Sequence, residues 1–241
     1  MSEDWDTIEM GEPGGVMLKG RILLDPEPSN PRKEFDHIAT IHAAHRRYNL
    51  GDVEVNDIDD SFYKLSQEDG VKITCEYCGR DLSYDGNGGW DDDREEDYDE
   101  CDSDDSPEHD FYGRKIRYHK PKATGVTIFP VFMYEHSGIT ISMGAFSCPW
   151  DSGQLGIIYI TDKQAKEAWG EEVTAEQIKE CCEAEIKEYD AYLTGMVFGY
   201  IIENEDEDEI ESCWGFYDEA DAKSEATSVM LAITKRVQEG G

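Results

Sequence analysis

The chain reads as an α+β fold in which a mostly antiparallel sheet is covered by two long C-terminal helices and carries an inserted acidic, zinc-bound loop. Three observations predict it. Runs of β-branched and aromatic residues, Val126 to Tyr134 above all, are separated by tight turns. Two apolar stripes at helical spacing lie near the C-terminus. Between residues 66 and 123 there are few apolar residues with which to close a core.

Residues 1–14 are acidic and contain Gly and Pro, which reads as a loose start. Val16 to Leu24 is a strand that stops at Asp25-Pro26-Glu27-Pro28, and a polar loop follows to Arg32. Phe35 to His45 fits two patterns. Ile38, Ile41 and His45 suit a helix, whereas Thr40, His42 and Ala44 alternate as in a strand. Residues 1–65 thus form the N-terminal part of one domain, 66–123 an acidic and basic insertion, and 124–241 the rest of that domain.

The C-terminal part is easier to parse. Val126 to Tyr134 turns at Glu135-His136-Ser137-Gly138 and pairs back through Ile139 to Met143. Gln154 to Ile160 is another strand. Thr161 with Gln164, and Thr174 with Gln177, have the spacing of capping boxes. Behind the second box, Ile178, Cys182, Ile186, Tyr189 and Leu193 form one stripe, and Gly195 ends it. Met196 to Ile202 and Ile210 to Tyr217 make a hairpin. Asp218 caps a last helix with the stripe Ala222, Ala226, Val229, Ile233 and Val237.

Acids outnumber bases 56 to 22 in 241 residues, for a formal charge of −34. Residues 91–110 hold thirteen acids and one base, and 203–211 hold seven acids. The remaining acids are spread along the chain, which indicates adaptation to high salt. At molar salt the Debye length shrinks to about 3 Å, and self-repulsion is largely screened. The sharper alternative is a DNA mimic presenting carboxylates at phosphate-like spacing. The seven cysteines follow no small-domain disulfide pattern, and the start Met1-Ser2-Glu3-Asp4 is acidic where a signal peptide is basic. No apolar run reaches the roughly 18 residues of a membrane span. The expectation is a reduced, intracellular protein without a membrane partner.

The strongest chemical pattern is Cys75-Glu76-Tyr77-Cys78-Gly79-Arg80. Two cysteines two residues apart, followed by Gly, form a knuckle that aims both sulfurs at one ion. Cys101 is the expected third zinc ligand, with His109 or His119 as the fourth. The plain alternative is a pair of free thiols in a flexible insertion. The thin core of residues 66–123 favours the metal, because an ion would hold them. A second constellation is Phe146-Ser147-Cys148-Pro149-Trp150-Asp151-Ser152-Gly153-Gln154. Here Cys148 could act as a nucleophile, with His136 or His45 as base and Asp151 as orienting group. The plain reading is structural, with Trp150 packed on the sheet and Cys148 buried.

Other motifs carry less. His37, His42 and His45 lie close together, and on a helix His42 and His45 would share a face with Asp36, but no zincin pattern accompanies them. Arg46 and Arg47 are expected to pair with carboxylates. The basic run Arg114 to Lys122 includes Tyr118, but it follows the most acidic segment, so self-neutralisation explains it better than nucleic acid does. There is no Walker loop, dinucleotide fingerprint or EF-hand loop.

Five strings together resemble a known group. They are Asn30-Pro31-Arg32, His45 to Asp52 (HRRYNLGD), His136 to Thr140 (HSGIT), Phe146 to Gln154 (FSCPWDSGQ) and Ser212 to Tyr217 (SCWGFY). They resemble a family of uncharacterised proteins carried by phages, haloarchaeal viruses and related mobile elements. The resemblance covers most of the chain outside residues 66–123, which look like an addition. It implies an accessory role in the cytoplasm of a haloarchaeal host and brings no established activity or catalytic residue. The leading expectation is a protein that binds a host protein without catalysis. The alternatives are a thiol-dependent hydrolase or transferase centred on Cys148, and the DNA mimic.

Overall fold

Backbone pairing sorts the strands into more than one sheet, almost all of it antiparallel. The structure, a computed structural model, describes residues 5–11, 17–84, 90–91, 101, 103 and 120–240. In chain order the elements are β1 (Asp6–Gly11), β2 (Met17–Leu24), α1 (Pro31–Glu34), β3 (Thr40–Ala43), β4 (Val53–Glu54), α2 (Ile58–Leu65), β5 (Lys72–Cys75), β6 (Ser83–Tyr84), β7 (Trp90–Asp91), β8 (Pro121–Thr124), β9 (Val126–Glu135), β10 (Ile139–Ser142), β11 (Ser152–Thr161), α3 (Asp162–Trp169), α4 (Ala175–Thr194), β12 (Phe198–Glu203), β13 (Glu209–Phe216) and α5 (Glu219–Gly240). The class is α+β. The chain divides into two units, with divisions inside β9 after Phe132 and inside α4 after Glu183.

The first unit comprises residues 1–36, 133–142 and 184–241. Its sheet runs β1-β2-β12-β13, all antiparallel. Asp6–Gly11 is therefore a strand, although its acids make it read as irregular. It pairs along its whole length with Met17–Ile22. Strand alternation sends Leu18 and Ile22 of β2, and Phe198, Tyr200 and Ile202 of β12, to one face. There they meet Ala222, Ala226 and Met230 of α5. The buried seam of α5 thus runs at four-residue steps and ends at Met230, whereas Val237 is 49% exposed. On the opposite face, the Trp214 ring covers Gly199, where a Cβ would meet Cε3 at 2.1 Å. Arg21 forks onto Glu203, with Nη2–Oε1 at 2.6 Å. Asn30 caps the short α1, and the buried Arg32 reaches Glu185 of α4 at 2.6 Å. Asp190 of α4 accepts hydrogen bonds from the Thr140 hydroxyl and the Ile141 N–H, both at 2.7 Å.

The second unit comprises residues 37–132 and 143–183. In it β9, β11, β3 and β4 lie side by side in that order. β11 pairs antiparallel with β3, and β3 pairs parallel with β4. β11 is buried without a break from Leu155 to Thr161, as in a strand covered on both faces. Gly156 lies against β3 so closely that a Cβ would stand 1.9 Å from the His42 carbonyl oxygen. The capping box of α3 forms as expected. Thr161 Oγ1 accepts from Gln164 N–H at 3.2 Å, and Gln164 Oε1 accepts from Thr161 N–H at 2.9 Å. α2 is capped by Asp57 and buries Leu65, with Ile58 and Phe62 packed beside it. One core cluster joins Leu65 to Val71, Ile73, Cys75, Leu82 and Cys101, and to Ile157 and Tyr159 of β11. Among the described residues, no helix is long and apolar enough to cross a membrane.

Candidate metal centre

The knuckle is built by a hairpin turned back on itself. β5 pairs antiparallel with β8, from Lys72↔Thr124 to Cys75↔Pro121. After Cys75 the chain reverses. Gly79 N–H donates to the Cys75 carbonyl at 2.9 Å, and Cys75 N–H donates to the Arg80 carbonyl at 2.7 Å. Gly79 has φ +74°, a left-handed conformation that favours glycine. A bridge between Thr74 and Asp81, and a bond from Leu82 N–H to the Ile73 carbonyl at 2.9 Å, close the return. Glu76 fastens the tip to the run-in of β8: its N–H donates to the Lys120 carbonyl at 2.8 Å and its carboxylate pairs with Lys120 Nζ at 2.6 Å.

This turn brings Cys75 and Cys78 together, and Cys101 joins them. The three sulfurs lie within 4.8 Å of one another. Cys75 and Cys101 are buried at 2% and 1% exposure, and Cys78 is half-buried. The Cys75 and Cys101 sulfurs are 3.7 Å apart, far beyond the roughly 2.05 Å of a disulfide. Burial pushes the Cys101 thiol up to about 11. Hydrogen bonds from the neighbouring Cys75 and Cys78 push the same way, and the Ser103 backbone opposes them. A cation reverses this balance, because thiolates surrounding it are stabilised. The triad could hold a metal ion. The two candidate fourth ligands, His109 and His119, lie outside the described residues.

The Cys148 loop has a different character. Cys148 is half-buried, and its Sγ approaches Asp151 Oδ2 at 3.9 Å. The Ser152 hydroxyl donates to the Cys148 carbonyl and closes the turn. Trp150 is 91% exposed, so the expectation that it packs on the sheet is overturned. His136 follows β9 in the first unit, where its ring stacks on Tyr134 with centroids 6.1 Å apart. Cys148 and Asp151 belong to the second unit.

The histidine group is dispersed by the strand reading of residues 40–43. His42 points inward at 1% exposure, with Nε2 3.3 Å from the Tyr159 hydroxyl and, among the described residues, no partner within hydrogen-bond geometry at Nδ1. Burial lowers its pKa to about 4, with help from Lys64. Asp52, Asp60 and the Ser61 backbone oppose the shift. Tyr159 also reaches Glu68 Oε1 at 3.5 Å, and burial pushes its phenol up to about 12. His45 instead stacks on Tyr48 and accepts from the Tyr48 N–H at 3.1 Å, and Arg47 stands over the Tyr48 ring. Sequence reasoning missed the His42–Tyr159 pair. Alternation through Thr40 and His42 was the available signal, but its partner lies 117 positions away. Compared with known proteins, the chain matches no family model, no curated protein and no solved structure.

Proposed function

We propose that this chain is a virus- or mobile-element-encoded accessory protein of a halophile, that it works in the host cytoplasm, and that it acts by binding a host protein. The observation that carries this reading is Trp150. An indole left 91% exposed on a loop held by its own hydrogen bonds is a ready anchor for a partner's pocket. The second unit is braced by one zinc ion on Cys75, Cys78, Cys101 and a histidine, His109 or His119. Zinc–sulfur bonds of about 2.3 Å at tetrahedral angles separate two sulfurs by ~3.8 Å, and the 3.7 Å between Cys75 and Cys101 supports zinc over a disulfide. Affinity capture from host lysate at native salt tests the binding role. Wild type should retain a discrete host protein that Trp150→Ala, with unchanged melting temperature, does not. Equal retention by both overturns it.

A second reading, a thiol hydrolase or transferase centred on Cys148, has one contact to argue from. Cys148 Sγ has Asp151 3.9 Å away. A nucleophilic thiolate is favoured by an imidazole or a cation beside it, whereas an adjacent carboxylate meets it with like charge. This contact therefore supports the enzyme less than the exposed indole supports the binder.

A further inference from the structure

β13 is an edge strand with eight residues and a partner on one side only. Its inner side pairs with β12 in continuous register from Gly199↔Trp214 to Ile202↔Glu211, and register shifts at both ends leave Gly215 and Ile210 out of the ladder. Among the described residues, no strand lies on its outer side. Natural edges are blunted by short length, by charge, by β-bulges or by a covering element, and the open ladder of β13 is the stretch between its two register shifts. β13 carries charge at Glu209 and Glu211, but it also presents two large apolar side chains, Ile210 at 43% and Trp214 at 41% exposure. Trp214 has a fixed seat, because its ring lies across the bare backbone of Gly199.

The charge around this edge selects its occupant. The hairpin from Glu203 to Glu211 holds seven acids. Arg21 neutralises Glu203, and Glu205, Asp206, Glu207, Asp208, Glu209 and Glu211 are exposed. A second copy added parallel would set this row beside its own like, and a copy added in either direction brings a further net charge of −34. A basic segment meets the same row with opposite sign. We propose that β13 takes up an extended, Lys- or Arg-rich polypeptide segment by strand addition. The backbone ladder supplies affinity, Trp214 and Ile210 hold apolar residues of the segment, and the acidic hairpin selects its charge. β13 belongs to the first unit and Trp150 to the second, and the proposal does not rest on Trp150.

Two synthetic peptides of equal length and charge test the proposal against the full chain in about 0.1 M KCl, where the Debye length is about 10 Å. One alternates Lys and Val, and the other alternates Lys and Pro. Proline has no N–H to give to a ladder. The Lys/Val peptide should bind at least about tenfold tighter, since it makes the ladder bonds that the Lys/Pro peptide cannot. It should also slow hydrogen exchange across Glu209–Phe216. Glu209→Lys/Glu211→Lys should weaken it by about tenfold or more with an unchanged melting temperature, and Trp150→Ala should leave it unaffected. Equal affinity for the two peptides reduces the effect to charge attraction and overturns strand addition. So does unchanged exchange in β13, or dimerisation of the free chain that protects β13.

Discussion

Cys75 Sγ and Cys101 Sγ stand 3.7 Å apart although twenty-six positions separate them in the chain. Between them runs the most acidic part of the sequence, so two buried sulfurs are held together across a segment with little apolar surface of its own. We expect one zinc per chain by elemental analysis of protein made without a metal-binding tag. Structural zinc contributes on the order of 10 kcal/mol to the folds it holds. Even partial dependence should lower the melting temperature by about 10 °C when Cys101→Ser or a strong chelator removes the ion. Undiminished zinc in Cys75→Ser/Cys101→Ser would defeat the assignment.

His42 makes stability depend on pH. The unfolded chain takes a proton on this ring near pH 6.5, and the folded chain only near pH 4. The stabilisation is therefore complete above pH 6.5 and is lost as the pH falls toward 4. At about 1.4 kcal/mol per pH unit the loss reaches ~3 kcal/mol. Urea unfolding of wild type and His42→Gln across this range isolates it from the carboxylates. The wild-type curve should fall more steeply by about 2–3 kcal/mol in all. Parallel curves would mean that the ring is already charged in the fold.

Trp150→Ala and Cys148→Ala separate an anchor from a nucleophile. An indole 91% exposed should cost less than about 0.5 kcal/mol on removal, and the half-buried thiol about 1 kcal/mol. If the loop binds a partner, Trp150→Ala abolishes capture and Cys148→Ala largely spares it. The opposite pattern, a folded Cys148→Ala protein without phenotype in the host, would put the thiol enzyme first.

Charge predicts a salt requirement. With −34 on the chain, the melting temperature should climb by about 10 °C or more between ~0.1 and ~3 M KCl, as screening removes self-repulsion. A flat or falling profile, read by circular dichroism, would remove the halophile reading and favour the DNA mimic.

Local signals were legible in the sequence because they are closed within a few residues. Thr161 with Gln164 caps α3, Thr174 with Gln177 opens α4, and Gly195 follows it at φ +72°. Cys75 to Gly79 spells a knuckle for the same reason. Features set by distant partners were not legible. β1 has too many acids to announce a strand and is fixed by β2. α2 has a cap at Asp57 and a stripe through Ile58, Phe62 and Leu65, but the stripe is short and lies beside an acidic run. His42 chooses a strand and a buried position because Tyr159 waits on β11. Trp150 misled because size and aromaticity predict burial, and only the completed loop leaves it 91% exposed.

Gly156 makes one codon unusually unforgiving. Every coding change one nucleotide away from glycine supplies a Cβ, and any Cβ there drives carbon into the His42 carbonyl oxygen. Relief requires β11 and β3 to separate. In a mutational scan this position would therefore look as intolerant as a catalytic residue while performing no chemistry. A genetic search for the active part of this protein would be drawn to the middle of β11, where the intolerance comes from a backbone pressed against its neighbour.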